Sequence, residues 1–148
     1  LKAGLAKRDP TRQQLDISAG GLLAIDESLV GDDQNKVLDF ARPSTALYVG
    51  GMGARGKNFY NDICRAYGYE KEAILIQDAY LDGKKDEAAK LIPTEWLQQS
   101  HLVGPKGFIK ERVAAYKEAG VTVLSVNPIG PNAVQQVELL RSIIDDVG

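Results

Sequence analysis

The sequence predicts an α/β fold in which a parallel sheet carries packed helices. The carboxyl-terminal third is the first observation behind this. Gly104-Pro105 opens a helix and Ala119-Gly120 closes it. "VTVLSVNP" (Val121–Pro128) is then a buried strand, "GPN" a loop, and a last helix carries Val134, Val137, Leu140, Ile143 and Ile144 on one face. Helix, glycine, strand, loop, helix is the order a parallel sheet needs, because parallel neighbours are joined by a crossover. The second observation is an imbalance: two clear strands and one ambiguous segment stand against many helical segments. So small a sheet is not expected to bury both faces or close: either the fold is mostly helical or the remaining strands lie in sequence outside this stretch, and the second is favoured. The third is that the chain starts at Leu1 rather than Met, within helical text, so a piece of a longer protein is expected.

Taken in order, Leu1–Lys7 reads as the tail of a helix stopped by Asp9-Pro10. Leu15–Ile25 is apolar with Gly20-Gly21 inside it, and reads as a strand with a flexible middle. Asp32-Asp33 caps a helix running to Arg42; Val37, Leu38 and Phe40 give it an apolar surface, and Pro43 ends it. Ser44–Val49 fits strand and helix equally, and Gly50–Gly56 reads as a flexible loop. From Asn58 to Ser100 the text is helical. Phe59, Ile63 and Tyr67 recur at helical spacing, with Gly68 as the C-cap. Ala73, Ile76, Ala79 and Tyr80 form the next stripe, ended by Asp82-Gly83. "KKDEAAKLI" is a short amphipathic helix stopped by Pro93; Thr94 caps "EWLQQS", with Trp96 packed inward. Pro105 then occupies a first helical turn, where its missing N–H costs nothing, and Ile109, Val113 and Tyr116 line one face. No repeat and no low-complexity linker divides residues 1–148, which read as one domain.

Composition excludes several function classes. Lys and Arg total 18 against 20 Asp and Glu, a net charge of −2, whereas a nucleic-acid partner calls for a clustered cationic excess. No apolar run approaches the roughly 20 residues that span a bilayer, and the basic first residues lack the apolar core of a signal peptide. A lone cysteine, Cys64, suits a reducing cytosol and a buried place on a helix. The one histidine, His101, leaves no ligand cluster for a metal. No G-x-S-x-G elbow supports a triad built on it.

One stretch, "YVGGMGARGKN" (Tyr48–Asn58), matches two nucleotide-binding patterns at once. Gly51, Gly53 and Gly56 read G-x-G-x-x-G; Gly51 to Lys57 reads G-x-x-x-x-G-K. Neither pattern has its context. A dinucleotide loop needs an acidic residue at the end of the next strand, and Asp78, at the right distance, lies in helical text. A phosphate loop needs Ser or Thr after the Lys to hold magnesium, and Asn58 stands there. The glycines still allow a close backbone approach, and Arg55 and Lys57 are candidate anion contacts; a solvated turn with two surface cations explains the same residues. A second partial match, "GGLLAIDES" (Gly20–Ser28), looks like a segment of class I fructose-bisphosphate aldolases. That chemistry needs a Schiff-base Lys at another strand end, and Val121–Pro128 holds none.

Three longer stretches agree with one another. "FARPSTALYVGGMGARGKNFYNDICRAYGYEKEA", "IQDAYLDGKKDEAAKLIP" and "LVGPKGFIKERVAAYKEAGVTVLSVNP" closely resemble the carboxyl-terminal part of luciferase-like monooxygenase-family oxidoreductases, most of all the deazaflavin branch dependent on coenzyme F(420). The resemblance runs from Phe40 to Pro128 and more loosely to both ends. It implies the last part of a (β/α)8 TIM barrel with a large helical insertion at residues 44–103. It also implies hydride transfer between deazaflavin coenzyme F(420), alternatively FMN, and a small organic substrate. Barrels bind ligands at the carboxyl ends of their strands. The expected rim contacts are therefore Gly50, Gly51, Met52, Gly53, Arg55 and Lys57, with the 128–133 loop after the last strand. No catalytic acid or base is assigned. Tyr48, Asn58, Tyr60 and His101 are polar candidates near the rim, and a structural use is equally open for each. A cytoplasmic protein is expected, with no membrane, metal or nucleic-acid partner. The alternative reading is a catalytically inactive half-barrel or helical module whose open edges drive self-association, as a homodimer.

Overall fold

Successive residues of a strand point to opposite faces, and here that alternation feeds two separate cores. Leu23 and Ile25 join Leu102 against Ile109, Val113, Leu140 and Ile143. Ala24 joins Val103 against Leu38, Leu97, Ile76 and their neighbours. The computed structural model describes residues 2–148; Leu1, read from the sequence as helical, lies outside the described residues. Its elements are α1 (Lys2–Leu5), β1 (Ser18–Ile25), α2 (Asp32–Leu38), α3 (Arg42–Ala46), α4 (Phe59–Ala66), α5 (Glu70–Leu81), α6 (Lys85–Lys90), α7 (Thr94–Ser100), β2 (Leu102–Gly104), α8 (Lys106–Glu118), β3 (Val123–Pro128) and α9 (Ala133–Val147).

The three strands are parallel in the order β2-β1-β3. Leu23 pairs with Leu102 on one side and with Pro128 on the other. Helices α8 and α9 cover one face of the sheet; α2 to α7 cover the other. The result is an α/β sandwich of three layers. This corrects the expectation that so small a sheet cannot bury both faces: at the carboxyl end of β1, Leu23, Ala24 and Ile25 are all buried. Consecutive strands of a (β/α)8 barrel lie side by side. Here the first strand is central, with later strands on either side of it.

Several local readings change. The third strand is Leu102–Gly104, too short to show a period, and Ser44–Val49 is helical instead. Pro43 does not end a helix; it sits in the first turn of α3, where no N–H is needed. Arg42 fixes that start, donating to Asp39 Oδ1 at 2.5 Å, to Thr94 Oγ1 at 2.8 Å and to the Ile92 carbonyl. Thr94 is therefore bound to Arg42 rather than capping α7, whose N-cap is Pro93. Asp32 and Asp33 make no cap bond; Gly31 is the N-cap of α2, and the two carboxylates lie in its first turn, near the positive end of the helix dipole. In α4 the inward residues are Asn61 and Cys64, while Phe59 and Tyr67 are 69% and 68% exposed. Strand β3 is not buried: its residues alternate between exposed and half-covered because it is the sheet edge. Val134 and Val137, at the start of the α9 stripe, are also exposed.

Gly20 and Gly21 take positive φ inside β1. A Cβ on Gly20 would stand 2.1 Å from the Ser125 carbonyl oxygen, and one on Gly21 2.1 Å from His101 Nδ1. Only glycine lets the neighbours approach this closely. Among the described residues no helix is long and apolar enough to cross a membrane.

Candidate functional site

The glycine segment begins as a helix, not as a loop. Residues Leu47–Gly51 form a π-helical turn that continues α3. Single π turns recur at functional sites. Gly50 is buried here, and the turn lies on α5: a Cβ on Gly50 would stand 2.5 Å from Tyr80 Cβ, and one on Gly51 2.4 Å from Tyr80 Cε1. These two glycines thus admit an aromatic ring from a neighbouring helix. Beyond them the chain bends so tightly that a Cβ on Gly53 would stand 2.4 Å from the Lys57 carbonyl oxygen.

Asn58 closes the segment. Its Oδ1 accepts from the Tyr60 and Asn61 N–H groups at 3.0 and 3.3 Å, capping α4. Its Nδ2 donates to the Tyr48 and Val49 carbonyls at 3.0 and 2.9 Å. Asn61 Nδ2 donates to Val49 at 3.1 Å and to Ala73 at 2.7 Å. Both asparagines are buried, and they satisfy carbonyls that the π turn leaves open. Gln77 adds a bond to the Gly53 carbonyl at 3.3 Å.

The two cations differ. Arg55 Nε donates to Asp78 Oδ1 at 2.7 Å, and its Nη2 lies 3.8 Å from Asp82 Oδ1. Its charge is already matched twice. Lys57 is exposed and pairs with no carboxylate among the described residues. Met52 is exposed, as are Tyr48, Phe59 and Tyr60. Those three rings meet edge to face, Tyr48–Tyr60 at 4.8 Å and Phe59–Tyr60 at 5.7 Å. Of the six residues expected at a rim, Met52 and Lys57 stand open, Gly50, Gly51 and Gly53 shape the backbone, and Arg55 is tied down.

His101 belongs to the sheet. Its Nδ1 accepts the Leu22 N–H at 3.1 Å, where a backbone carbonyl of a longer β2 would otherwise sit. Burial lowers its pKa below the usual histidine value, so the ring is a neutral acceptor with its proton on Nε2. Cys64 is buried on α4, and burial pushes its thiol up to about 11, which leaves it unreactive.

The carboxyl end of the sheet is a second locus. The chain leaving β1 crosses to one face, and the chains leaving β2 and β3 cross to the other. Such a divergence opens a crevice outside the strand ends. Asp26 stands there, its N–H donating to the Gly104 carbonyl at 3.2 Å. Its Oδ1 accepts from Ser28 Oγ at 2.6 Å and Ser28 N–H at 2.9 Å; these bonds lower its pKa. Glu27 Oε1 accepts the Lys106 N–H at 3.1 Å, at the start of α8. Gln136 of α9 prolongs the ladder: Oε1 accepts the Ile25 N–H at 2.6 Å, and Nε2 donates to the Ile25 carbonyl at 3.2 Å. The loop after β3 leads into a shallow depression of about 410 Å³ over Pro131, Asn132 and Glu138. No sequence pattern assigns a role to Asp26, Glu27 or Gln136; the acidic pair directly after an apolar strand is the available signal.

Comparison with known proteins gives two matches. A family model described as luciferase-like monooxygenase covers residues 1–123. A Mycobacterium tuberculosis protein, provisionally named a coenzyme F(420)-dependent oxidoreductase, is 30% identical over 144 residues, covering 97% of this chain and 40% of that protein. The chain therefore spans well under half the length of this relative. No solved structure gives a significant match.

Proposed function

Because the chain belongs to the luciferase-like monooxygenase family, we propose that it is the carboxyl-terminal part of an oxidoreductase using deazaflavin coenzyme F(420), with FMN as the alternative. One observation carries this reading: 97% of the chain aligns within a relative named for that coenzyme. When bound, the coenzyme supplies the hydride chemistry, and the protein positions it and keeps competing reactions away. The substrate is a small organic molecule. The longer protein is a (β/α)8 barrel in this reading, with α3 to α7 as its helical insertion. Barrel closure there requires β2 to lie between β1 and β3, an order different from that of the isolated chain.

The glycine segment does not make a ring pocket by itself. Gly50 and Gly51 are filled by Tyr80, and Arg55 is held by Asp78 and Asp82. No chemical step is therefore derived through the coenzyme here. What the segment offers is a rim: Lys57 toward an anionic tail or substrate, Met52 and the Tyr48–Tyr60–Phe59 cluster toward an apolar part. In the native gene product, Lys57→Ala is expected to weaken coenzyme affinity several-fold and Arg55→Ala to change it little. Unchanged affinity in the Arg55→Ala/Lys57→Ala double variant removes the rim from the reading. A buried lone thiol supports a reducing, cytoplasmic setting.

The open edge of β3 favours a second reading for the 148 residues alone. Among the described residues no strand pairs with the outer side of β3. Beside it lies an apolar groove of about 500 Å³ lined by Val123, Leu124, Val126, Val137, Leu140 and Ile144 among others. An uncovered strand edge next to apolar surface invites a second copy. Light scattering coupled to size exclusion tests it. A dimer that Val137→Glu converts to monomer supports self-association; a monomer at all concentrations ends this reading.

A further inference from the structure

A groove of about 530 Å³ lies on the opposite edge of β1, on the side where β2 is missing. Small-molecule sites commonly measure about 300–1,000 Å³. Its walls include Tyr67, Tyr69, Trp96 and Tyr116, with Arg112 and the backbone of Gly20. Tyr69 and Trp96 stack at 5.9 Å with 16° between their planes. Among the described residues no carboxylate lines the groove.

Arg112 is the informative residue. Its guanidinium sits over the Tyr116 ring, 5.4 Å from the centroid. Nη2 donates to the Gln99 carbonyl at 2.9 Å, and Tyr116 Oη donates to the same carbonyl at 3.1 Å. Nε is buried with no acceptor. No carboxylate pairs with Arg112 among the described residues. A half-buried guanidinium that no protein carboxylate matches favours an anionic partner over a neutral one.

Gly20 adds a polar edge. The Leu22 N–H turns to His101 and the Asp26 N–H to Gly104, both on the β2 side. Gly20 shares their parity, and a Cβ on it would strike Ser125 on the β3 side, so its N–H and C=O point toward β2. The β2 register begins only at Leu23. The Gly20 peptide groups therefore face the groove with no strand opposite them.

We propose that this groove binds a small planar aromatic anion, its ring against the Tyr69, Trp96 and Tyr116 side chains and its acidic group on Arg112. Aromatic walls favour a flat ring, the unmatched guanidinium selects a carboxylate or phosphate, and the Gly20 edge takes a polar ring substituent. The groove flanks the amino-terminal half of β1, away from the strand ends where the coenzyme reading places its site, so the two readings stand or fall separately.

Trp96 is the one tryptophan, so its indole N–H gives a single resonance in the nitrogen-15 correlation spectrum of the labelled chain. Titration with naphthoate is expected to shift that resonance saturably. Naphthalenemethanol, the same ring without charge, and cyclohexanecarboxylate, the charge without a flat ring, are each expected to bind about tenfold more weakly, the scale of one charged hydrogen bond. Arg112→Gln is expected to weaken naphthoate about tenfold, and Arg112→Lys less. No saturable shift with naphthoate overturns the proposal. Equal affinity for naphthalenemethanol, or for the Arg112→Gln protein, reduces the groove to an apolar patch and overturns it as well. If Arg112→Gln does not fold, the comparison of the three probes on the unaltered chain decides.

Discussion

At the scale of single residues, the glycine segment is governed by packing. The sequence announces that Gly50 and Gly51 are unusual, but spacing alone does not show that the Tyr80 ring lies on them. Gly51→Ala is expected to cost about 1–3 kcal/mol by overpacking. In the Gly51→Ala/Tyr80→Ala protein the effects should be less than additive, as read from urea midpoints; full additivity would separate the glycine from the ring. Asn58 gives a sharper case. Asp is as good an N-cap as Asn, so a pure capping role predicts that Asn58→Asp is harmless. The bonds from Nδ2 to Tyr48 and Val49 predict instead a loss of about 1 kcal/mol, since the Tyr48 carbonyl loses its side-chain donor and the Val49 carbonyl keeps only the one from Asn61. His101 sets a pH dependence. Its folded-state pKa lies below the free value of 6.5, so the unfolded chain binds the proton more readily. Stability is then complete above about pH 6.5 and falls as the pH drops below it. The melting temperature should decline between pH 7 and pH 5, and His101→Asn, which keeps an acceptor for Leu22, should flatten that decline.

At the scale of elements, the helices from Phe59 to Ser100 were legible because apolar spacing and terminal glycines or prolines agree. The inward face of α4 is legible only at Cys64, whose buried place on a helix is expected and found. Its buried side is made by Asn61 and Cys64, and the asparagine is inward because it carries hydrogen bonds that hydrophobic spacing cannot register. Three residues of β2 show no period. Proline both stops and starts helices, and at Pro43 the deciding contact, Arg42 to Ile92 and Thr94, is remote in sequence. The strand after α8 lies where its apolar run predicts, but at the uncovered sheet edge, since an apolar run says nothing about which strands flank it. Gln136 is the device that joins α9 to the carboxyl end of β1. Gln136→Ala should destabilise the fold by about 1–3 kcal/mol, the cost of an unpartnered buried pair of peptide groups, and should speed amide exchange at Ile25 before exchange at Leu23. Unchanged exchange at Ile25 would show that β1 does not depend on this clamp.

At the scale of the whole molecule, the α/β class followed from sequence grammar, and the family from long agreeing stretches rather than from the glycine pattern that first suggested nucleotides. What no sequence pattern supplies is strand order. The chain by itself settles with β1 central and helices on both faces, whereas the proposed barrel needs β2 in the middle. β1 is paired on both sides, to β2 through Leu23–Ile25 and to β3 through Ser18–Leu23. Ring binding in this reading needs residues beyond these 148, so the coenzyme should bind the native gene product far more tightly than the chain alone. The most direct measurement is a titration of coenzyme F(420) into both, followed by deazaflavin fluorescence. Saturable binding by the native product, far tighter than any by the 148-residue chain, is the predicted result. A native product that binds neither F(420) nor FMN would contradict the account.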